Sequence, residues 1–219
     1  SACEKAGRWL DALALLAGAA VRALAPDAPL LNAALSACEK ASPAGRWRRA
    51  AWLLAAAPRL AVRPTAISRN AAISACEALG LWQHALSLLW GMSAQEISPD
   101  SIGCNAAISA CEKGGRWDFA ILLLGTMPSL RIYPDVISCN AAASACKVGG
   151  RWRFALAVLD IMSNIRIAPD ATTCTAALGS CERSGHCHPM PALLRSTVGC
   201  CSGTQWLSPR AQARAMPAK

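Results

Sequence analysis

Twelve cysteines and three histidines are the side chains of this sequence with the most chemistry open to them. Thiols can bridge, ligate zinc, or simply pack as small apolar groups. Their spacing separates these roles. Cys3, Cys38, Cys76, Cys111, Cys146 and Cys181 recur at intervals of 35 residues, with one interval of 38. Cys104, Cys139 and Cys174 form a second series at 35. On one helix Cys104 and Cys111 would stand about 10 Å apart along the axis, too far to bridge. Both series therefore read as reduced core residues. Cys187, Cys200 and Cys201 lie outside them, near His186 and His188. These five can be drawn as a zinc set. They contain no Cys-x-x-Cys pair, however, and adjacent cysteines rarely serve one tetrahedral ion, so no metal site is expected. The chain also lacks a His-x-Glu with a later Cys-x-x-Cys, a glycine-rich phosphate loop, and a Ser or Cys nucleophile with a positioned base. No catalytic residue, enzymatic activity or cofactor is expected.

The second set of residues suited to recognition is amide and acidic. Asn70, Asn105 and Asn140 each open the segment Asn-Ala-Ala-(Ile/Ala)-Ser-Ala-Cys. Asp100, Asp135 and Asp170 each follow a proline. An amide carries a donor and an acceptor, enough to meet the edge of a base. The same Asn could equally form an interhelical ladder or a cap.

These residues are placed by a repeat. Matching landmarks every 35 residues phase the chain as 1–27 (second half of a unit), 28–65, 66–100, 101–135 and 136–170. A degenerate repeat or cap follows at 171–205, then a basic tail at 206–219. The unit at 28–65 is three residues longer, because Ala41–Trp47 stands where the others have a four-residue turn. Each unit reads as two helices. In 101–135 the first is expected from Ile102 to Lys113, with Cys104, Ile108 and Cys111 on its apolar stripe. Ile102, Asn105, Ser109 and Glu112 lie on the other face. Gly114-Gly115 ends that helix, and the second carries Trp117, Ala120, Leu123 or Leu124, and Met127. Pro134 then restricts its predecessor and Asp135 can cap the next helix. Trp9, Trp47, Trp82, Trp117 and Trp152 share a place at the start of the second helix, where they read as packing between helices. Such hairpins cannot bury their own apolar faces and must stack. The expected architecture is an all-α solenoid of two-helix repeats forming a right-handed superhelix.

Composition agrees with a packed chain. It is 54% hydrophobic and 16% charged, which argues against a disordered chain. The longest apolar run, Ala12 to Val21, is about half a membrane span, and no membrane partner is expected. A net charge of +9 favours a polyanionic partner. The first residue is Ser1 and no leader is evident, so the sequence reads as the interior of a longer protein.

A 35-residue, two-helix unit ending in Pro-Asp resembles the pentatricopeptide repeat family of organellar RNA-binding proteins. Residues 1–170 carry the resemblance well and 171–205 poorly. Asn105 to Lys113 and Gly115 to Leu124 are similar to the family's two helices. The family's aromatic before the Asn is replaced by Arg69, Cys104 and Cys139, and its aliphatic after Gly-Arg is Trp. The resemblance implies that each unit reads one base of single-stranded RNA. The reading pairs would be Asn70 with Asp100, Asn105 with Asp135, and Asn140 with Asp170, with Asn32 and Thr65 as a weaker, pyrimidine-leaning pair. Ile67, Ile102 and Ile137 would pack against bases. Three Asn–Asp pairs imply U-U-U, the N-terminal unit on the 5′ side. Phosphate contacts would fall to Lys5, Lys40, Lys113 and Arg183, and less readily to Arg8, Arg46, Arg116 and Arg151. The implied role is transcript processing or stabilisation in a mitochondrion or chloroplast, with other RNA-processing proteins as further partners. The alternative is a helical-repeat adaptor for proteins, or a spacer, with no base reading.

Overall fold

The computed structural model describes residues 28–40, 46–60 and 62–185. Among them the secondary structure is helical throughout: α1 (Ala28–Lys40), α2 (Arg46–Ala56), α3 (Ala66–Glu77), α4 (Trp82–Ser93), α5 (Ser101–Lys113), α6 (Trp117–Thr126), α7 (Val136–Val148), α8 (Trp152–Asn164) and α9 (Ala171–Arg183). Short 3₁₀ turns at Ala57–Leu60 and Met127–Leu130 extend α2 and α6. Helix α5 starts at Ser101, one residue earlier than the sequence pattern suggests. The reason is that Asp100, immediately before it, caps it.

Local chemistry fixes the ends of these helices. Gly80, Gly115, Gly150 and Gly185 sit at the turns after α3, α5, α7 and α9 with φ of +61° to +70°, a region that suits glycine. Around Gly80 and Gly150 the chain closes with long-range turn bonds, Leu81 N–H to Cys76 C=O at 3.1 Å and Arg151 N–H to Cys146 C=O at 2.9 Å. The second helices end the same way without glycine. Glu96, Arg131 and Arg166 take left-handed φ near +60°, and the very next amide, of Ile97, Ile132 or Ile167, reaches back to the carbonyl of Met92, Met127 or Met162. These methionines are fully buried, so each turn is pinned beneath by the core.

The chain divides into two compact bodies, residues 1–114 and 115–219. In the first, α1, α3 and α5 pack on one another in succession, and α2 and α4 each contact the first helices on either side. In the second, α7 packs on α9, while α6 and α8 flank them in the same manner. This is solenoid packing, in which each helix touches only its near neighbours in sequence. The first helices bury alanine and cysteine faces, such as Ala72, Ala75 and Cys76 or Ala142, Ala145 and Cys146. Small side chains let these backbones approach closely. Larger residues from the second helices fill the rest, including Leu53, Leu86, Leu89, Leu124 and Val158.

The tryptophan place is also explained. Trp82 lies against Gly114, and Trp117 against Gly149: a Cβ built on either glycine would stand 2.6 or 2.5 Å from the ring. The Trp of one unit thus seats on the glycine turn of the next. Trp117 further meets Phe154 at 4.9 Å between ring centroids and carries the Arg151 guanidinium 4.9 Å above its ring. Both residues belong to the following unit.

Candidate nucleic-acid interface

The site begins with the caps. Thr65, Asp100, Asp135 and Asp170 are the N-cap residues of α3, α5, α7 and α9, each in extended conformation. Their side chains accept from the backbone amide three residues on: Ser68 at 3.4 Å, Gly103 at 2.9 Å, Ser138 at 2.8 Å and Thr173 at 2.8 Å. A short polar side chain there satisfies an otherwise orphaned helix N–H. That local requirement is what places one carboxylate or hydroxyl at the junction of two units.

The first-helix asparagines reach these caps. Asn70 Nδ2 donates to both carboxylate oxygens of Asp100, at 2.9 and 2.8 Å. Asn140 Nδ2 donates to Asp170 Oδ2 at 2.9 Å. The pair Asn32 and Thr65 is joined at 3.4 Å, with the Thr65 hydroxyl donating to the amide oxygen. Three of the four expected pairs are therefore in contact across 30 to 33 residues of sequence. Asn105 is half-buried on α5 in the first body, and Asp135 caps α7 in the second.

Three residues before Asn70, Asn105 and Asn140 is an apolar side chain left in solvent. Ile67, Ile102 and Ile137 are 62%, 63% and 62% exposed. Ile67 stands one turn before Asn70 on the same face of α3. Ile102 follows the capping Asp100 by two residues. Equal exposure of a β-branched residue at intervals of 35 is a repeated surface feature rather than scatter.

The expected cations are less uniform. Lys113 donates to Glu77 at 2.8 Å, an exposed pair between successive first helices. Arg183 ends α9 and is exposed. Lys40 ends α1, while its side chain and Lys5 fall outside the described residues. In the second arginine row Arg116 holds Asp118 through two bonds at 3.0 and 2.8 Å, and Arg151 covers Trp117. Arg8 and the Arg46 side chain lie outside the described residues.

Burial works against the charge of Asp170. Hydrogen bonds from the Thr172 hydroxyl, the Thr173 amide, Asn140 and the Thr173 hydroxyl outweigh it and hold the carboxyl well below the usual range. Burial alone pushes the Cys76 thiol up to about 11 and the Cys146 thiol up to about 12. Cys104 and Cys139 are likewise pushed up to about 11, chiefly by burial. The eight cysteines among the described residues are buried thiols without a disulfide, as packing rather than chemistry requires. No group of metal-ligating side chains forms among the described residues, and the His186, Cys187, His188, Cys200 and Cys201 cluster lies outside them.

One residue of this region was not foreseen. Arg69 fills the place held elsewhere by Cys104 and Cys139 and is buried. Its guanidinium donates to the Leu88 carbonyl at 3.3 Å and to the Gln95 side chain, and burial lowers its pKa. It fastens α3 to the end of α4. An Arg in an alternating Ala and Cys face is the only signal the sequence offers for it.

The PPR repeat family profile matches residues 103–132. No curated protein sequence matches the chain. Among solved structures, the pentatricopeptide repeat protein PPR10 from maize is similar at TM-score 0.67 and 24% identity, over 92% of this chain and 28% of that one. PPR10 in complex with an 18-nt psaJ RNA element aligns at TM-score 0.62 and 24% identity, over 93% and 27%. The PPR domain of Arabidopsis thaliana protein-only RNase P 1, in complex with tRNA, aligns at TM-score 0.69 and 17% identity, over 82% and 93%. The chain thus spans little more than a quarter of the length of PPR10. At these identities the likeness establishes the fold. The PPR repeat matched at 103–132 is one copy of the unit that recurs every 35 residues, and the chain shares the fold of these pentatricopeptide repeat structures.

Proposed function

We propose that this chain binds single-stranded RNA, one base per unit. The observation that carries the proposal is the recurring set of an exposed Ile, an Asn and a capping residue. Ile67, Asn70 and Asp100 form one set, and Ile137, Asn140 and Asp170 another, with the amide bonded to the carboxylate in each. An exposed apolar side chain offers a base a face to lie on. The amide and carboxylate offer its edge a donor and acceptors. Two solved relatives of the same fold are in complex with RNA, which supports the same class of partner here.

Within this reading, Asn70 with Asp100, Asn105 with Asp135 and Asn140 with Asp170 select uracil, and Asn32 with Thr65 contributes a weaker pyrimidine preference. Lys113 and Arg183 supply phosphate contacts, Lys113 by exchanging its exposed bond to Glu77 for a phosphate. Such a pair is worth about 0–1 kcal/mol and yields readily. The chain acts by binding, without catalysis of its own, in RNA processing or stabilisation in a mitochondrion or chloroplast.

The test is fluorescence anisotropy of the chain with oligo-U, oligo-C, oligo-A and oligo-G at two salt concentrations. Tightest binding to oligo-U, weakening steeply with salt, is expected. Equal and negligible binding to all four would sink the proposal and favour a protein-binding or spacer role.

A further inference from the structure

The residue three places after each cap is Ser68, Gly103, Ser138 or Thr173. The Ser68 hydroxyl donates to Asn32 Oδ1 at 2.5 Å, and the Thr173 hydroxyl donates to Asn140 Oδ1. Asn32 and Asn140 are half-buried. Gly103 has no hydroxyl to give. Asn70 Oδ1 is buried without a hydrogen-bond partner, and Asn70 as a whole is only 6% exposed. Its amide oxygen fills the space that a side chain on residue 103 would take, since a Cβ built there would lie 2.6 Å away. Its nitrogen is engaged by both oxygens of Asp100, whereas Asn140 engages only one oxygen of Asp170.

We propose that this third place is a specificity-determining position. At Ser68 and Thr173 the hydroxyl holds the asparagine of the preceding unit half-buried, with its amide oriented. Gly103 instead lets Asn70 withdraw, so the unit of residues 66–100 discriminates among bases less than the unit of residues 136–170. The proposal rests on the reading of the Asn and Asp pairs as base-selecting. The chemistry is direct. With Asn70 withdrawn, the exposed Ile67 still holds a base by apolar contact, which every base accepts. Only a donor or acceptor at the surface tells one edge from another.

Oligouridines carrying one cytidine, moved along the sequence, test this with the full chain by anisotropy. The two units lie two repeats apart and so read bases two nucleotides apart. In the unaltered protein the cytidine should cost less opposite the Asn70 unit than opposite the Asn140 unit. Gly103→Ser should steepen the first penalty about threefold to tenfold, the range of one hydrogen bond, and Thr173→Gly should flatten the second by a similar factor. Thr173→Ser should leave it intact. Helical melting by circular dichroism checks folding; serine suits a helix interior better than glycine does. Equal penalties in the unaltered protein, or a Gly103→Ser effect shared by every oligonucleotide, would overturn the proposal. Binding to none of them would instead defeat the RNA reading. In that event side-chain amide NMR of the free protein decides. Gly103→Ser must bring the Asn70 amide signals toward those of Asn140, and an unmoved Asn70 signal overturns the proposal.

Discussion

The units of residues 66–100 and 136–170 occupy the same frame and differ at the cap of the next helix. Around Asp100 the carboxylate gathers the Gly103 amide and one asparagine. Around Asp170 it gathers the Thr172 hydroxyl, a backbone amide and the asparagine, and it shares the single Thr173 hydroxyl proton with Asn140 Oδ1. Beneath these sites the cores match, with Leu89 and Met92 buried in one and Leu159 and Met162 in the other. A repeat protein can thus keep one scaffold and vary a junction by single side chains. Each junction is built from local bonds, and stacking burden falls on other faces.

The largest expected effect tests whether the scaffold is truly shared. Met92→Ala and Met162→Ala remove fully buried side chains from equivalent places and should each cost about 2–5 kcal/mol. Chemical denaturation should return similar losses; losses differing several-fold would mean that the two cores are not equivalent. Next in size are the caps. Asp100→Ala and Asp170→Ala should each cost about 1 kcal/mol or more, with Asp170 the larger because it gathers more bonds. Asparagine at these places keeps the cap, so Asp100→Asn and Asp170→Asn should cost less than the alanine variants, Asp170→Asn still losing the carboxylate's contribution, while both move base preference from U toward C. Acid titration sharpens the same contrast. The folded carboxyl of Asp170 is held below its ordinary range, so its contribution is present near neutral pH and is lost as pH falls below about 4. Asp170→Asn should remove that part of the acid slope. Smallest is Lys113→Ala, which breaks an exposed bond to Glu77 and should change stability by only a few tenths of a kcal/mol. Its measurable effect should be a shallower salt dependence of RNA binding.

Much of this was legible because it is local. The glycine turns, the Pro-Asp caps and the Cys and Ala faces each follow from a few neighbouring residues, and the 35-residue period multiplies the signal. The Asn and Asp pairing spans 30 residues and became readable only through a family resemblance. The burial and partners of Arg69 were not readable. Its burial depends on the Leu88 carbonyl on α4 and Gln95 just past the end of that helix lying within reach, which no spacing rule reports.

The sequence by itself determined that this chain is a stack of helical hairpins, that its cysteines in register are packing residues, and which polar side chains recur at one place per unit. It could do so because helix periodicity, capping and turn conformation are properties of adjacent residues. Tertiary structure alone decided that Trp82 and Trp117 seat on the glycine turns of the following units, and that Asn70 turns inward while Asn140 is held by a threonine. Those outcomes depend on how close two helices come. Whether a side chain finds a partner or an empty space there is a matter of a few tenths of an ångström, set by the packing of residues distant in the chain.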